Sequence, residues 1–268
     1  AVTIAGHPVL GLFAGAAAGA LAGFFTAFLQ TKLKIEAILS GILVAAGLYT
    51  VNYAVLGGQS NLYLQYTTTN SVGAQVNEAS PTIYKNFSAL FSGIQSPYLD
   101  SNAQVFLLTG VIVVILTAAL SVFFFTRPGM AVRATGDNEE MVRSSSINAD
   151  LTRTAGVMLA NALVALSGAL LCEQQRYADL NCGSSMLVMG LASVIIGQVI
   201  FGDRGIVGGL ISAAAGSLLY RIMIQAAYMI DMPSYAVKLL STLIVVAALA
   251  LPLLKKKLSG NKKGGDSL

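Results

Sequence analysis

The chain has 268 residues, of which 55% are hydrophobic and 10% are charged, and its mean hydropathy is +0.73. A soluble domain usually carries about 25% charged residues, so this composition excludes a soluble globular protein and indicates a polytopic protein in a lipid bilayer. The net charge of +4 does not indicate nucleic-acid binding, because the basic residues stand at the ends of apolar segments, as membrane topology requires.

Seven apolar segments follow one another along the chain, each near the ~20 residues that cross a bilayer core. Leu, Ala, Val, Ile and Gly dominate them without period-two alternation, so we predict an all-α transmembrane helical bundle rather than a barrel. The fifth segment is short, and its Gly/Ser-rich entry suggests a re-entrant or broken helix. The segments lie near 9–30, 35–57, 103–126, 154–172, 185–201, 206–228 and 235–254.

The long domain 1–257 contains two large polar connections. We interpret 58–102 as an external loop that either caps the outer mouth and meets a partner or merely connects two helices, with a short helix near 82–93. We interpret 127–153 as a cytoplasmic loop. The tail 258–268 is poor in apolar residues and is predicted to be disordered in the cytoplasm.

Small residues are spaced along two of the predicted helices. The first segment has glycines at 11, 15, 19 and 23, each four residues apart, which form a flat stripe that lets another helix approach closely. Glycines at 205, 208, 209 and 216 suggest a similar surface on the sixth segment. Both patterns predict tight helix packing.

The distribution of Lys and Arg sets the orientation. With the tail in the cytoplasm, alternation of the segments also places there Lys32, Lys34, Arg127, Arg133, Arg143, Arg153 and Arg204. Only four basic residues then remain outside or within spans, namely Lys85, Arg176, Arg221 and Lys238. Cys172 and Cys182 fall on the outer face, where they either form a disulfide or remain two thiols.

The polar stretch 127–153 interrupts two long apolar runs. Pro128 and Gly129 are expected to stop the preceding helix. Asp137 or Asn138 can cap a short helix with Glu139 and Glu140 in its first turn and Arg143 in its last, which matches the helix dipole. A short capped helix on the cytoplasmic face is well suited to docking on a soluble partner.

Two sequence segments carry a family resemblance. The stretches RATGDNEEMVRSSSIN (133–148) and ADLNCGSSMLVMGLASVIIGQVIFGDRG (178–205) resemble bacterial ABC-transporter permeases of the branched-chain amino acid/ribose type, nearest to the subgroup that imports amino acids, often aromatic ones. The similarity runs from about residue 7 to residue 252. Ser146 stands where members usually have glycine, and Gln198 where they often have glutamate.

The resemblance implies a permease subunit in the bacterial cytoplasmic membrane. It implies cytoplasmic ATP-binding subunits that carry ATP and Mg²⁺, an extracytoplasmic substrate-binding protein, and a second permease copy, as a homodimer or a heterodimer. The chain itself has no Walker-type glycine loop and no cofactor is expected in it. Because the alternation places the N-terminus outside, we expect a further helix or helix pair before Ala1, as in the resembling family. The residues implied to couple to the ATPase are Arg133, Gly136, Asp137, Asn138, Glu139, Glu140, Met141, Arg143, Ile147 and Asn148.

Polar residues within the spans are candidates for the substrate path. Tyr49, Asn52 and Tyr53 share one helical face, and a polar group in a span must find a partner or face a cavity. Each such residue has two interpretations. It lines the substrate path, or it makes a hydrogen bond to another helix or at the membrane interface. Arg221 either attracts a carboxylate, pairs with Asp231 or Glu173, or snorkels. The candidates are Tyr49, Asn52, Tyr53, Asn161, Ser184, Ser185, Met186, Gln198 and Arg221.

Two other classes of function compete with an importer subunit. An ion-gradient-driven secondary transporter needs buried carboxylates, and the spans have none deep in them. A membrane-embedded enzyme needs a reactive constellation, whereas the chain has one histidine, no metal-binding cluster and no nucleophile–base pair; a scaffold without transport activity needs neither. Glu173 and Arg176, spaced i, i+3, can pair with each other.

Overall fold

The computed structural model describes residues 7–69, 75–79, 82–83, 101–202 and 205–229, together with positions 239, 242, 243 and 246. Helices make up most of this part of the chain, and the sequence divides into two compact units, Ala1–Asn181 and Cys182–Leu268. In chain order the elements are α1 (Pro8–Thr31), α2 (Ala37–Val55), β1 (Asn61–Tyr63), β2 (Gln65–Thr69), β3 (Gln75–Ala79), α3 (Ser101–Phe125), α4 (Arg127–Asp137), α5 (Glu139–Ser144), α6 (Ala149–Gln175), β4 (Tyr177–Asp179), α7 (Cys182–Phe201) and α8 (Gly205–Met229).

Five of the described helices are long and apolar enough to cross a membrane: α1, α2, Val105–Phe125 of α3, α6 and α8. Their outer faces carry exposed aliphatic side chains such as Ile38 (73% exposed), Val114 (68%) and Val164 (71%). Apolar surface on this scale is typical of helices that face lipid. The structure therefore confirms the predicted polytopic helical bundle.

The fifth apolar segment is one uninterrupted α-helix. It starts at Cys182 and runs to Phe201, so the broken-helix interpretation is wrong and Ser184 and Ser185 lie inside its first turn. Its apolar part, Met189–Phe201, is shorter than the five candidate spans. The seventh predicted segment, 235–254, lies outside the described residues except at four positions.

The glycine stripe of α1 packs against α6, as predicted. A Cβ atom on Gly19 would lie 2.6 Å from the carbonyl oxygen of Asn161, and one on Gly23 would lie 2.8 Å from Cα of Met158. Gly15 faces Ala169, so the two helices run antiparallel. Because glycine has no side chain, the backbones of α1 and α6 can approach closely.

In the second unit, α7 and α8 pack antiparallel through small residues. A Cβ on Gly197 would collide with the carbonyl of Ser212, and one on Gly216 with the carbonyl of Ser193. Of the four predicted glycines, Gly216 makes this close approach, whereas no described atom lies within 4 Å of a Cβ on Gly205. Gly197 is the partner that the sequence pattern did not identify. Ala192, Ile196 and Tyr220 form a buried cluster beside this contact.

The described part of the polar connection 58–102 contains β-structure that was not predicted. Strand β1 pairs antiparallel with β4, the short strand after α6, with Asn61 opposite Asp179 and Tyr63 opposite Tyr177. Strands β2 and β3 form an antiparallel hairpin. The predicted short helix near 82–93 lies outside the described residues apart from Thr82 and Ile83.

Glu173 does not pair with Arg176, which corrects the i, i+3 interpretation. The Glu173 side chain is 2% exposed, and its Oε2 accepts a hydrogen bond of 3.0 Å from the backbone N–H of Ile83. Arg176 instead ends α6 in the left-handed region at φ 62°. Cys172 and Cys182, both described, are not joined by a disulfide.

Candidate functional site

The polar segment, residues 127–153, begins with a helix that the sequence did not predict. Pro128 does not simply stop α3; it lies in the first turn of α4, where a missing N–H is harmless. Thr126 caps this turn, its Oγ1 accepting a hydrogen bond of 3.4 Å from Gly129 N. A Cβ on Gly129 would lie 2.7 Å from Cα of Phe124, so glycine allows α4 to fold back tightly on the end of α3.

Helix α4 is held to α6 by a buried polar contact and a close packing contact. The hydroxyls of Thr135 and Thr152, each 8% exposed, lie 2.7 Å apart. Beside them, a Cβ on Gly156 would lie 2.9 Å from Cγ1 of Val132. A buried hydroxyl pair satisfies both polar groups, so it fixes where α4 crosses α6. No short-range sequence pattern identified these two threonines.

The short helix α5 confirms the capping prediction. Asn138 is the N-cap, and its Oδ1 accepts a hydrogen bond of 3.0 Å from Met141 N. Glu139 and Glu140 occupy the first turn and Arg143 the last. Val142 is 1% exposed and is the one buried residue of α5, so it anchors the helix while the opposite face stays open to solvent.

A network of ion pairs joins α5 to the start of α6. Nη2 of Arg143 lies 2.7 Å from Oε1 of Glu139 and 2.5 Å from Oδ1 of Asp150. Nη1 of Arg153 lies 3.4 Å from the other oxygen, Oε2, of Glu139. These hydrogen bonds, first with Glu139 and then with Asp150, raise the pKa of the Arg143 guanidinium above its ordinary value. Exposed pairs of this kind add little stability, but together they fix the direction in which α5 points.

The turn after α5 contains a strained residue. Ser146 has φ 60°, and Ile147 N donates a hydrogen bond of 3.4 Å to the carbonyl of Val142. This is the pattern of a Schellman helix end, in which the left-handed position usually holds glycine. Asn148 then caps α6, accepting hydrogen bonds from Asp150 N and Leu151 N at 3.1 and 3.2 Å.

A cavity of about 400 Å³ opens between α4, α5 and α6. One carboxylate and one guanidinium face each other across small and aliphatic residues, so a polar side chain from a partner finds both hydrogen-bond donors and acceptors there. The lining residues are Val132, Thr135, Gly136, Glu139, Arg153, Gly156 and Val157.

The predicted coupling residues lie on α4, on α5 and in the turn that follows α5. Nine of the ten are exposed, and Glu139 is half-buried within the ion-pair network. Met141 and Ile147 are apolar and remain 57% and 40% exposed. Asp150, Arg153 and Thr152 were not among the predicted residues, although the seven-residue spacing of Arg143 and Asp150 indicates opposite charges two helical turns apart. The exposed residues are Arg133, Gly136, Asp137, Asn138, Glu140, Met141, Arg143, Ile147 and Asn148.

The predicted substrate-path residues are not gathered into one site. On α2, Tyr49, Asn52 and Tyr53 are all exposed, and Asn52 lines a second cavity. Asn161 faces the glycine stripe of α1, and its Nδ2 donates to the carbonyl of Val157 at 2.9 Å. The packing of α6 against α1 and this hydrogen bond therefore account for the polar Asn161 within a span.

The remaining candidates lie on α7 and α8. Ser184 and Ser185 are in the first turn of α7, where the structure describes only their backbone. Met186 is half-buried, whereas Gln198 and Arg221 are exposed. Asp231, suggested as a partner of Arg221, lies outside the described residues.

The polar segment and the β1–β4 ladder lie at opposite ends of α6. Its 27 residues correspond to about 40 Å of helix. Because α1 runs antiparallel to α6, Lys32 and Lys34 lie at the same end as the polar segment. Among the described residues of this unit, the basic side chains other than Arg176 thus lie at one end, as expected for a protein that crosses a membrane.

These features define a multi-pass integral membrane protein of helical-bundle type with a structured polar segment at its basic end. The sequence model of one protein family matches residues 1–249 of the chain. This family is described as the permease component of branched-chain amino acid transport systems. The chain belongs to this family, whose members are proteins of the bacterial inner membrane.

Two curated relatives are similar to the chain. The tyrosine transport system permease protein of Clostridioides difficile (strain R20291) is 32% identical over 222 residues, covering 83% of this chain and 65% of its own length. An uncharacterized protein of Rickettsia prowazekii (strain Madrid E) is 25% identical over 174 residues, covering 65% of this chain and 52% of its own. The chain thus spans about half to two-thirds of the length of these relatives. No solved structure matches the chain significantly.

Proposed function

We propose that the chain is the membrane-spanning permease subunit of an ABC importer for an amino acid, with aromatic amino acids the first to test. Family membership and the name of the Clostridioides difficile relative support this assignment. The positive-inside rule assigns the basic end, with the polar segment, to the cytoplasm. ATP and Mg²⁺ are then bound by separate cytoplasmic subunits, and a substrate-binding protein delivers the solute outside.

The single observation that carries the coupling role is the form of α5. Asn138 caps it, Val142 anchors it, and the Arg143 network orients it, so a push on its exposed face is transmitted to the start of α6. A soluble ATPase subunit closing on this face moves the spanning helices only if the docked helix is rigid. The 400 Å³ cavity beside it accepts a polar side chain from that subunit. A second permease copy completes the path, as a homodimer or a heterodimer.

The test uses the full transporter in proteoliposomes and the variant Glu140→Lys combined with Met141→Ala. Both side chains are exposed, and neither belongs to the Arg143 network, so the fold of the polar segment is retained. We expect ATP-dependent amino-acid uptake to fall at least about 10-fold, as when an interface anchor is lost, while membrane insertion and thermal unfolding stay unchanged.

Gln174→Lys is the matched control, because Gln174 is exposed at the opposite end of α6 and the new charge is the same. Wild-type uptake in the double variant would contradict docking through α5. Charge reversal at Glu139 and Arg143 is less informative, since it also breaks the internal ion pairs.

One observation favours a second candidate, an ion-gradient-driven transporter. Glu173 is a carboxylate buried near the end of α6, and its Oε1 has no hydrogen-bond partner among the described residues. Buried carboxylates in spans are typical of proton or cation relays. Uptake driven by a proton gradient without ATP would support this function, whereas strict dependence on ATP and on the ATPase subunit would exclude it.

A further inference from the structure

A second cavity lies at the end of the first unit opposite to the polar segment. Its volume is about 270 Å³. The last residues of α2, with Leu56 directly after the helix, form one wall, and β4 with the residue after it forms the other. The lining residues are Asn52, Val55, Leu56, Ala178, Asp179 and Leu180.

The wall that carries Asp179 is held by hydrogen bonds on both sides of the β1–β4 ladder. Leu180 N donates to Ser60 O at 3.1 Å, and Leu64 N donates to Arg176 O at 2.9 Å. The ladder, which places Asn61 opposite Asp179, thus joins the end of α6 to the chain after α2.

One of the two oxygens of the Asp179 carboxylate accepts hydrogen bonds from its neighbours, and these bonds hold the group in place. Its Oδ1 accepts a hydrogen bond of 2.8 Å from Asn181 N. With the Asn61 side-chain nitrogen turned toward it, the same oxygen accepts a second bond of 3.3 Å. Within the described part of the chain, Oδ2 accepts none. One oxygen therefore positions the group, and the other remains available to a ligand.

The charged, polar and apolar groups that line the cavity indicate which class of ligand it can bind. Among the described residues, no lysine or arginine lines the cavity, so Asp179 gives this lining a negative charge that attracts an ammonium group. The Asn52 side chain makes no hydrogen bond among the described residues and can donate its N–H groups to a carboxylate. Val55, Leu56 and Leu180 provide an apolar wall.

We propose that this cavity is an outward-facing subsite for a free α-amino acid. Asp179 receives the ammonium group, the Asn52 amide receives the carboxylate, and the apolar wall contacts the side chain. The inference rests on the proposed function, since it names the group of the solute that the permease itself recognises. The location about 40 Å from the basic end of α6 places the subsite on the outer face.

The test measures occupancy at Leu56, which lines the cavity without serving as a ligand. The full transporter with Cys172→Ser, Cys182→Ser and Leu56→Cys is reconstituted, and a membrane-impermeant maleimide is added outside. We expect L-tyrosine and tyramine, which both carry an ammonium group, to slow the labelling, whereas 3-(4-hydroxyphenyl)propanoate, which lacks it, has no effect.

Asp179→Asn keeps the shape and the hydrogen bond from Asn181 but removes the charge. A hydrogen bond to a charged group contributes enough that its loss should weaken protection by L-tyrosine about 10-fold or more. Gln174→Cys, exposed at the same end of α6, reports on general access and should be labelled equally with and without amino acid.

Three results would overturn the subsite: labelling of Leu56→Cys that no amino acid slows, protection that survives Asp179→Asn, or equal protection by 3-(4-hydroxyphenyl)propanoate. Uptake is measured separately in the same vesicles. Protection with the expected ammonium dependence but without ATP-dependent uptake supports the subsite and contradicts the proposed importer, so the two failures are distinguishable.

Discussion

Ser146 has a left-handed backbone conformation that is unfavourable for a residue with a Cβ atom. The hydrogen bond from Ile147 N to Val142 O closes the end of α5 only if the residue between them adopts φ near 60°, where a Cβ atom is unfavourable. The sequence analysis singled out this position, because the family resemblance led us to expect glycine there. The structure supplies the reason, which is a left-handed helix end.

We therefore expect Ser146→Gly to stabilise the polar segment by about 1 kcal/mol. Thermal unfolding of the purified protein should shift upward, and protease cleavage within 127–153 should slow. Ser145→Gly is the matched control, because Ser145 has φ −85° and gains nothing from glycine. Equal shifts for both variants would contradict the strain at Ser146.

Among the helices, the closest contacts occur where glycine residues face a neighbouring helix. The α1–α6 contact uses Gly15, Gly19 and Gly23, and the α7–α8 contact uses Gly197 and Gly216. Gly41 and Gly47 on α2 face open space, so glycine content alone does not mark a contact. The regular four-residue spacing in α1 was informative because it repeats close to the helical period.

Gly19→Ala should destabilise the first unit by roughly 1–3 kcal/mol, because the new methyl group would overlap Ala165 and lie 2.6 Å from the Asn161 carbonyl oxygen. Gly47→Ala should be neutral or stabilising, since a helical alanine is favoured over glycine. Thermal unfolding in detergent compares the two variants. A Gly19→Ala protein as stable as Gly47→Ala would show that α1 and α6 do not meet as described.

For the molecule as a whole, the most important feature is that the first unit has two chemically different ends. The polar segment and the lysines after α1 lie at one end, and the β1–β4 ladder with its cavity lies at the other. Cytoplasmic ends of membrane proteins carry an excess of Lys and Arg, so we expect the end with the polar segment to face the cytoplasm. This orientation also places the proposed coupling surface and the proposed amino-acid subsite on opposite sides.

Cysteine accessibility tests this arrangement. In the protein with Cys172→Ser and Cys182→Ser, Glu36→Cys should react with an impermeant maleimide only in inside-out vesicles, and Gln174→Cys only in right-side-out vesicles. Both positions are exposed, so access to the reagent is not limiting. Labelling of both from the same side would exclude the orientation on which the coupling proposal depends.

The sequence by itself determined the features that depend on neighbours within a few turns. Apolar length predicts the spans, and the four-residue spacing of the glycines at 11, 15, 19 and 23 predicts a contact face. Asp137 or Asn138 followed by Glu139 and Glu140 predicts the capped helix α5. In each case the interacting groups lie on one short helix, so their order in the chain is enough.

Contacts between groups far apart in the chain could not be predicted and became visible in the folded protein. Thr135 bonds Thr152, Glu173 accepts from Ile83, Gly197 packs on Ser212, and Asn61 pairs with Asp179 because separate elements are folded against each other. A threonine or an aspartate has the same local pattern whether or not such a partner exists. Helix α4 was missed for a related reason, since Pro128 ends helices and begins them equally well, and only the fold of the chain around Thr126 settled which it does here.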